Sequence, residues 1–127
     1  MQADLYREEL LEHFRNPLNF GKPKQFDVSS SQLNPFCGDE IQIFISLNKQ
    51  KITNAQFVGN GCAISISSAS IFTQYVKGKA LKKLTKFSQV DMLELLGVQV
   101  SQTRKKCALL PLAVFQDCLY AIKSKNR

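Results

Sequence analysis

The chain has 127 residues, a formal net charge of +7 and a 44% share of hydrophobic residues. That length suits one domain with a single core, residues 1–127, and that composition excludes a disordered polyelectrolyte. No uninterrupted apolar run approaches the roughly 18 residues of a membrane span, which argues against a membrane role.

The charge is uneven. Residues 1–76 carry six Lys/Arg against seven Asp/Glu, whereas residues 77–127 carry eleven against three. A basic half suits nucleic acid, an acidic partner, stabilised thiolates or simply a solvated lysine-rich surface. No base-stacking aromatic pattern or binding motif accompanies it, which argues against nucleic acid. The opening Met1-Gln-Ala-Asp-Leu-Tyr-Arg-Glu-Glu9 has no signal pattern and is too acidic for a transit peptide. A cytoplasmic protein is therefore expected, where thiols stay reduced and cysteines serve metal or thiol chemistry rather than disulfides.

In chain order, Asp4 to Asn16 is predicted to be a helix, with Tyr6, Leu10, Leu11 and Phe14 on one face. Asp4 can cap it and Pro17 can stop it. The single histidine, His13, has a structural role to expect on this helix. Residues 21–34 are polar, with an apolar pulse at Phe26 and Val28 that suggests a short strand. Ile41, Ile43, Ile45 and Leu47 alternate with Gln42, Phe44 and Ser46, the pattern of a half-buried strand. Asn48-Lys-Gln50 suits a hairpin loop, and Lys51 to Val58 the returning strand. Gly59-Asn-Gly61 should end that strand through the backbone freedom of glycine.

Cys62 to Val76 has helical length, with Ser65, Ser67, Ser68 and Ser70 small enough for close packing, and Gly78 can terminate it. The basic stretch Lys79 to Lys86 suits a short helix. Ser88 and Asp91 form a capping pair for a helix through Leu96 that Gly97 closes. Val98 to Thr103 is expected to connect to a last helix, which begins near Lys105 or Cys107 and runs to Lys123. Pro111 lacks an N–H and crowds the carbonyl of Cys107 four residues back, so the helix is expected to start close to Cys107 or to bend there. Pro111, Phe115, Cys118, Leu119 and Ile122 share one face. The order helix, strands, helices predicts an α+β fold, a small antiparallel β-sheet with helices packed on one face.

Three of the four cysteines sit at element boundaries. Cys37 and Asp39 flank Gly38 in Asn34-Pro-Phe-Cys-Gly-Asp-Glu40. Cys62 follows Gly59-Asn-Gly61, and Cys107 follows Arg104-Lys-Lys106. Three thiolates and a carboxylate make a tetrahedral set suited to zinc or iron–sulfur chemistry rather than magnesium or calcium. Cys118 is excluded, because eleven residues of helix place it roughly 16 Å from Cys107. It suits a buried, inert thiol. The spacing contains no Cys-x-x-Cys pair, so three unrelated cysteines at turns remain the alternative on spacing alone. Arg104, Lys105 and Lys106 could offset the negative charge of such a site. In a third view the metal is structural and the chain is a basic interaction module in which Lys82, Lys83 and Lys86 matter more than Cys107.

These motifs resemble the U-type iron–sulfur cluster assembly scaffold family, which includes IscU and SufU. The resemblance covers nearly the whole chain. Leu5-Tyr-Arg7, His13-Phe-Arg-Asn-Pro17 and Asn19-Phe-Gly21 are similar to the family's first helix and turn. The first cysteine motif is Asn34 to Asp39, the second Gly59-Asn-Gly-Cys-Ala-Ile-Ser65, the third Arg104-Lys-Lys-Cys-Ala108. The resemblance implies a SufE/IscU-like fold and makes Cys37, Asp39, Cys62 and Cys107 the metal ligands. It implies Zn2+ or a transient [2Fe-2S] cluster, a PLP-dependent cysteine desulfurase (SufS-like) as sulfur donor, and downstream iron–sulfur assembly or recipient proteins. Lys106 replaces the histidine of IscU-type members, and Arg104 to Ala108 matches the SufU type. The interval of 45 residues between Cys62 and Cys107 lacks the insertion usual in SufU. The expected activity is zinc-dependent sulfurtransfer, with Cys107 as sulfur acceptor and Arg104 and Lys106 meeting the partner. The alternative is an IscU-like scaffold that assembles and hands on a cluster.

Overall fold

The computed structural model describes residues 2–35 and 38–125, with side chains from Arg7 to Ser124 among them. Three strands form one antiparallel sheet in the order β1 (Val28–Asn34), β2 (Asp39–Asn48) and β3 (Lys51–Asn60). Asn48 pairs with Lys51, so only Lys49 and Gln50 make the hairpin loop, both left-handed at φ 51° and 68°. Such two-residue turns match the twist of the strands they join. The alternation in β2 sends Ile41, Ile43 and Ile45 into the core, beside Ala55 and Phe57 of β3. The expectation of a half-buried β2 needs one correction: Phe44, on the opposite face, is only 2% exposed. The ring of Phe26 packs edge-on over it, with centroids 5.0 Å apart, so the segment before β1 covers the back of the central strand.

The helices are α1 (Gln2–Arg15), α2 (Ala63–Val76), α3 (Leu81–Leu84), α4 (Gln89–Leu96) and α5 (Gln102–Lys125). α5 lies across β1 and β2, α2 lies on β3, and α1 and α4 pack on these two helices. The result is an α+β fold with helices layered on one face of the sheet. α1 begins at Gln2, so Asp4 lies inside it and not at its cap, and Phe14 stands 41% exposed rather than on a buried face. α4 forms as predicted: Ser88 Oγ accepts from the Asp91 N–H, the Asp91 carboxylate accepts from the Ser88 N–H, and Gly97 closes the helix at φ 72°.

α5 departs from expectation. It starts at Gln102, well before Cys107, and continues through Pro111. Packing on both sides of Pro111 holds the helix together: Ala108, Leu112, Val114 and Phe115 are all buried. By length and composition Gln102–Ser124 is apolar enough to cross a membrane, but 56% of its most apolar stretch is buried inside this fold. It is a core helix. Cys118 is fully buried on it, its sulfur 4.0 Å from the Ile43 carbonyl, and burial pushes its thiol up to about 12. That is an inert thiol.

The serines of α2 act as pins. Ser67 Oγ donates to the Leu10 carbonyl of α1 at 2.7 Å. Ser70 Oγ accepts from the Leu18 N–H at 2.8 Å and lies 2.7 Å from His13 Nδ1. A Ser70 hydroxyl that accepts from Leu18 is suited to donate to Nδ1 of a neutral ring. Burial, opposed by Glu9 and Glu12, lowers the His13 pKa below its ordinary 6.5. Below pH 6.5 the unfolded chain therefore takes up a proton that the native ring resists, and stability falls until the native value is passed. The urea midpoint is expected to drop between pH 7.5 and 5.5, and His13→Gln to reduce that drop; an unchanged drop in the variant contradicts this role.

Candidate metal centre

The site forms where β2 begins, β3 ends and α5 passes over them. Gly38, at φ 74°, donates its N–H to the Asn34 carbonyl at 2.8 Å and closes the turn into β2. Asp39 follows, paired with Asn34 across the sheet and only 3% exposed. β3 delivers Cys62 next to it, because Glu40 pairs with Asn60. Cys62 is the residue just before α2, and its N–H donates to Asp39 Oδ1 at 3.2 Å. Its sulfur does not cap the helix but stands 3.4 Å from Asp39 Oδ2. Cys107, on the second turn of α5, is fixed from α2: Ser68 Oγ donates to the Ala108 carbonyl at 2.6 Å. A carboxylate oxygen of Asp39 and the sulfurs of Cys62 and Cys107 all lie within 4.8 Å of one another.

Gly59 and Gly61 permit this approach, though for a different reason than expected. Neither has a positive φ. A Cβ on Gly59 would stand 2.2 Å from the Glu40 carbonyl oxygen. One on Gly61 would stand 2.3 Å from Ser65 Oγ and 3.1 Å from the Asp39 carboxyl carbon. Glycine is needed for closeness, which is a tertiary fact that the sequence does not display. Gly61→Ala is expected to push the Asp39 carboxylate aside and weaken any metal binding there about 10–100-fold, the usual range for residues supporting metal ligands. Competition with a chromophoric chelator measures it; wild-type affinity would contradict the contact's importance.

Arg104 and Lys106 separate in space. Arg104 precedes Cys107 by three residues and so shares its helix face. The charge of the neighbouring thiols raises the Arg104 pKa, chiefly through Cys62 and then Cys107, so its guanidinium faces the site electrostatically. Lys106 is one residue from Cys107, turned by roughly 100° around the helix. It lines a neighbouring groove with Leu33, Pro35 and Leu109, between the end of β1 and α5. Cys107 is 1% exposed and Cys62 is half-buried. Cys37, the fourth expected ligand, lies outside the described residues.

The donors fit the tetrahedral set. Metal–sulfur bonds of about 2.3 Å and metal–oxygen bonds of about 2.0 Å give tetrahedral edges of roughly 3.5–3.8 Å. The Cys62–Asp39 separation of 3.4 Å is close to the sulfur–oxygen edge, and all three donors lie within 4.8 Å of one another. Two soft sulfurs beside one carboxylate favour zinc or iron over magnesium or calcium. Residues 5–127 match the family described as NifU-like N terminal domain. The chain belongs to that family. It is 34% identical over 123 residues to the zinc-dependent sulfurtransferase SufU of Bacillus subtilis (strain 168), covering 84% of this chain and 83% of that protein. It is 31% identical over 125 residues to the iron–sulfur cluster assembly scaffold protein IscU of Escherichia coli (strain K12), covering 95% and 96%. The solved NifU-like protein (N-terminal) of Brucella abortus superposes with a TM-score of 0.79 at 19% identity, covering 97% of both chains, which shows the shared fold. The NifU-like assignment agrees with the resemblance carried by the three cysteine motifs.

Proposed function

We propose that this chain is a zinc-binding sulfur acceptor in iron–sulfur cluster assembly, taking sulfane sulfur from a PLP-dependent cysteine desulfurase of the SufS-like kind and passing it to downstream assembly or recipient proteins. The observation that carries this reading is the meeting of Asp39, Cys62 and Cys107 within 4.8 Å, with Arg104 one helix turn before Cys107 on α5. Zinc, when bound, would be held by Asp39, Cys62, Cys107 and Cys37 and would keep the thiols as thiolates. The proposed acceptor is Cys107. Its sulfur attacks the outer sulfur of the donor's persulfide; that S–S bond breaks, the donor cysteine leaves as a thiolate, and the sulfur stays on Cys107 as a new persulfide. No net oxidation is required. Arg104 supplies a positive charge where an anionic persulfide must approach, and Lys106 in its adjoining groove is suited to meet the partner. A reducing cytoplasm, the compartment proposed for this chain, would keep these thiols free of disulfides.

The greater exposure of Cys62 supports a second reading in which the Cys62 thiolate makes the first attack on the donor's persulfide. Intact-mass analysis after one desulfurase turnover tests both: one added sulfur atom, mapped by peptide fragmentation to Cys107, is the expected result. Sulfur mapped to Cys62 selects the second reading, and sulfide released with no added mass contradicts both. A scaffold that assembles a [2Fe-2S] cluster would use the same ligands, with the cluster as cargo. Its relative is the IscU scaffold of Escherichia coli. Lys106, in place of a histidine beside Cys107, favours the sulfur-acceptor reading.

A further inference from the structure

The lysines that follow α2 stand apart from the metal centre. Lys82 and Lys83 of α3 and Lys86 just beyond it are exposed and line an open groove of about 850 Å³. Tyr75, Phe87 and Leu95 give the groove apolar lining, and Asp91 and Glu94 of α4 complete it. Tyr75 lies near the far end of α2 from Cys62, roughly 20 Å away at 1.5 Å per residue. Exposed charges are largely screened beyond about 8 Å at physiological ionic strength. These lysines therefore do not act on the site sulfurs, and their charge calls for another counterpart.

A phosphodiester backbone fits poorly. Asp91 and Glu94 on the α4 side would repel its unbroken row of charge, whereas a helix can keep its carboxylates on the lysine side and turn uncharged positions to α4. The rings of Tyr75 and Phe87 pack against each other at 5.1 Å, and Phe87 packs against Phe72 at 5.6 Å, so neither stands out as a platform for a base. A free carboxylate ligand would leave the aromatic lining unused. We propose that the groove takes an acidic segment of a partner protein, an amphipathic helix whose carboxylates meet Lys82, Lys83 and Lys86 and whose apolar side chains lie on Tyr75, Phe87 and Leu95. A partner held there leaves the metal centre open for sulfur exchange. The inference is independent of which metal or sulfur chemistry the centre performs.

The test uses the full chain and three fluorescein-labelled probes followed by anisotropy: a helical peptide with Leu every third or fourth position and Glu between, the same peptide with Gln for Glu, and an oligothymidine of equal charge. The Glu peptide is expected to bind about 10-fold or more tightly than the Gln peptide, and to lose that advantage in K82E/K83E/K86E and largely in the triple Lys→Gln variant. Zinc affinity and the thermal midpoint of both variants should match the wild type. Equal binding of the Glu and Gln peptides, or binding untouched in both variants, overturns the proposal. So does tighter binding of the oligothymidine, which would assign the groove to nucleic acid.

Discussion

Cys107→Ser is expected to accept no sulfur from a desulfurase and to bind zinc at least ~100-fold more weakly than the wild type, because a serine hydroxyl is a poor substitute for a thiolate on a soft site. The fold should survive. The position is 1% exposed and its surroundings are set by the Ser68 bond to Ala108 and by the packing of α5 on the sheet, none of which requires the sulfur. Chelator competition reads the zinc and intact mass reads the sulfur, so the two losses are separable. Full sulfur uptake by the variant would remove Cys107 from the acceptor role whatever happened to the metal. Cys118→Ser is the matched control: its thiol lies on the buried face of the same helix and should leave both readouts unchanged.

The second large effect concerns the sheet. Gly59→Ala is expected to lower stability by about 1–3 kcal/mol, the range for overpacking, and toward its upper end because the neighbour cannot yield. The obstructing atom is the Glu40 backbone carbonyl, 2.2 Å from the added carbon, with Ile41 also within contact. Glu40 is paired with Asn60 and Ile41 with Gly59, so relief requires β2 and β3 to separate at the point where they deliver Asp39 and Cys62. Urea unfolding monitored by far-ultraviolet dichroism measures the loss. A change below about 1 kcal/mol would mean that the strands part there with little cost, and the tight β2–β3 contact would lose its significance.

The parts of this molecule legible in the sequence are those written in local chemistry. Ser88, Asp91 and Gly97 specify α4 because capping is a matter of neighbouring residues. Isoleucine alternation specifies β2 because its period reports burial directly. β1 was harder: Val28 to Asn34 is rich in serine, and the strand is held mainly by pairing with β2 rather than by an apolar pattern of its own. Pro111 misdirected the start of α5, since the local cost of an interior proline is outweighed by packing that only the assembled fold provides. At the site, residue types were legible and reasons were not. The glycines beside Cys62 serve close approach, and among the described residues Arg104 shares the helix face of Cys107 while Lys106 lines the neighbouring groove. Helix geometry explains that choice, since three residues return to the same face and one does not.

The turnover of a cysteine desulfurase, measured with and without the zinc-loaded chain in the absence of iron, tests the sulfur-acceptor reading most directly. It predicts a large stimulation that disappears in Cys107→Ser. An equal rate with and without the chain would contradict it and leave cluster assembly as the activity of the same ligands.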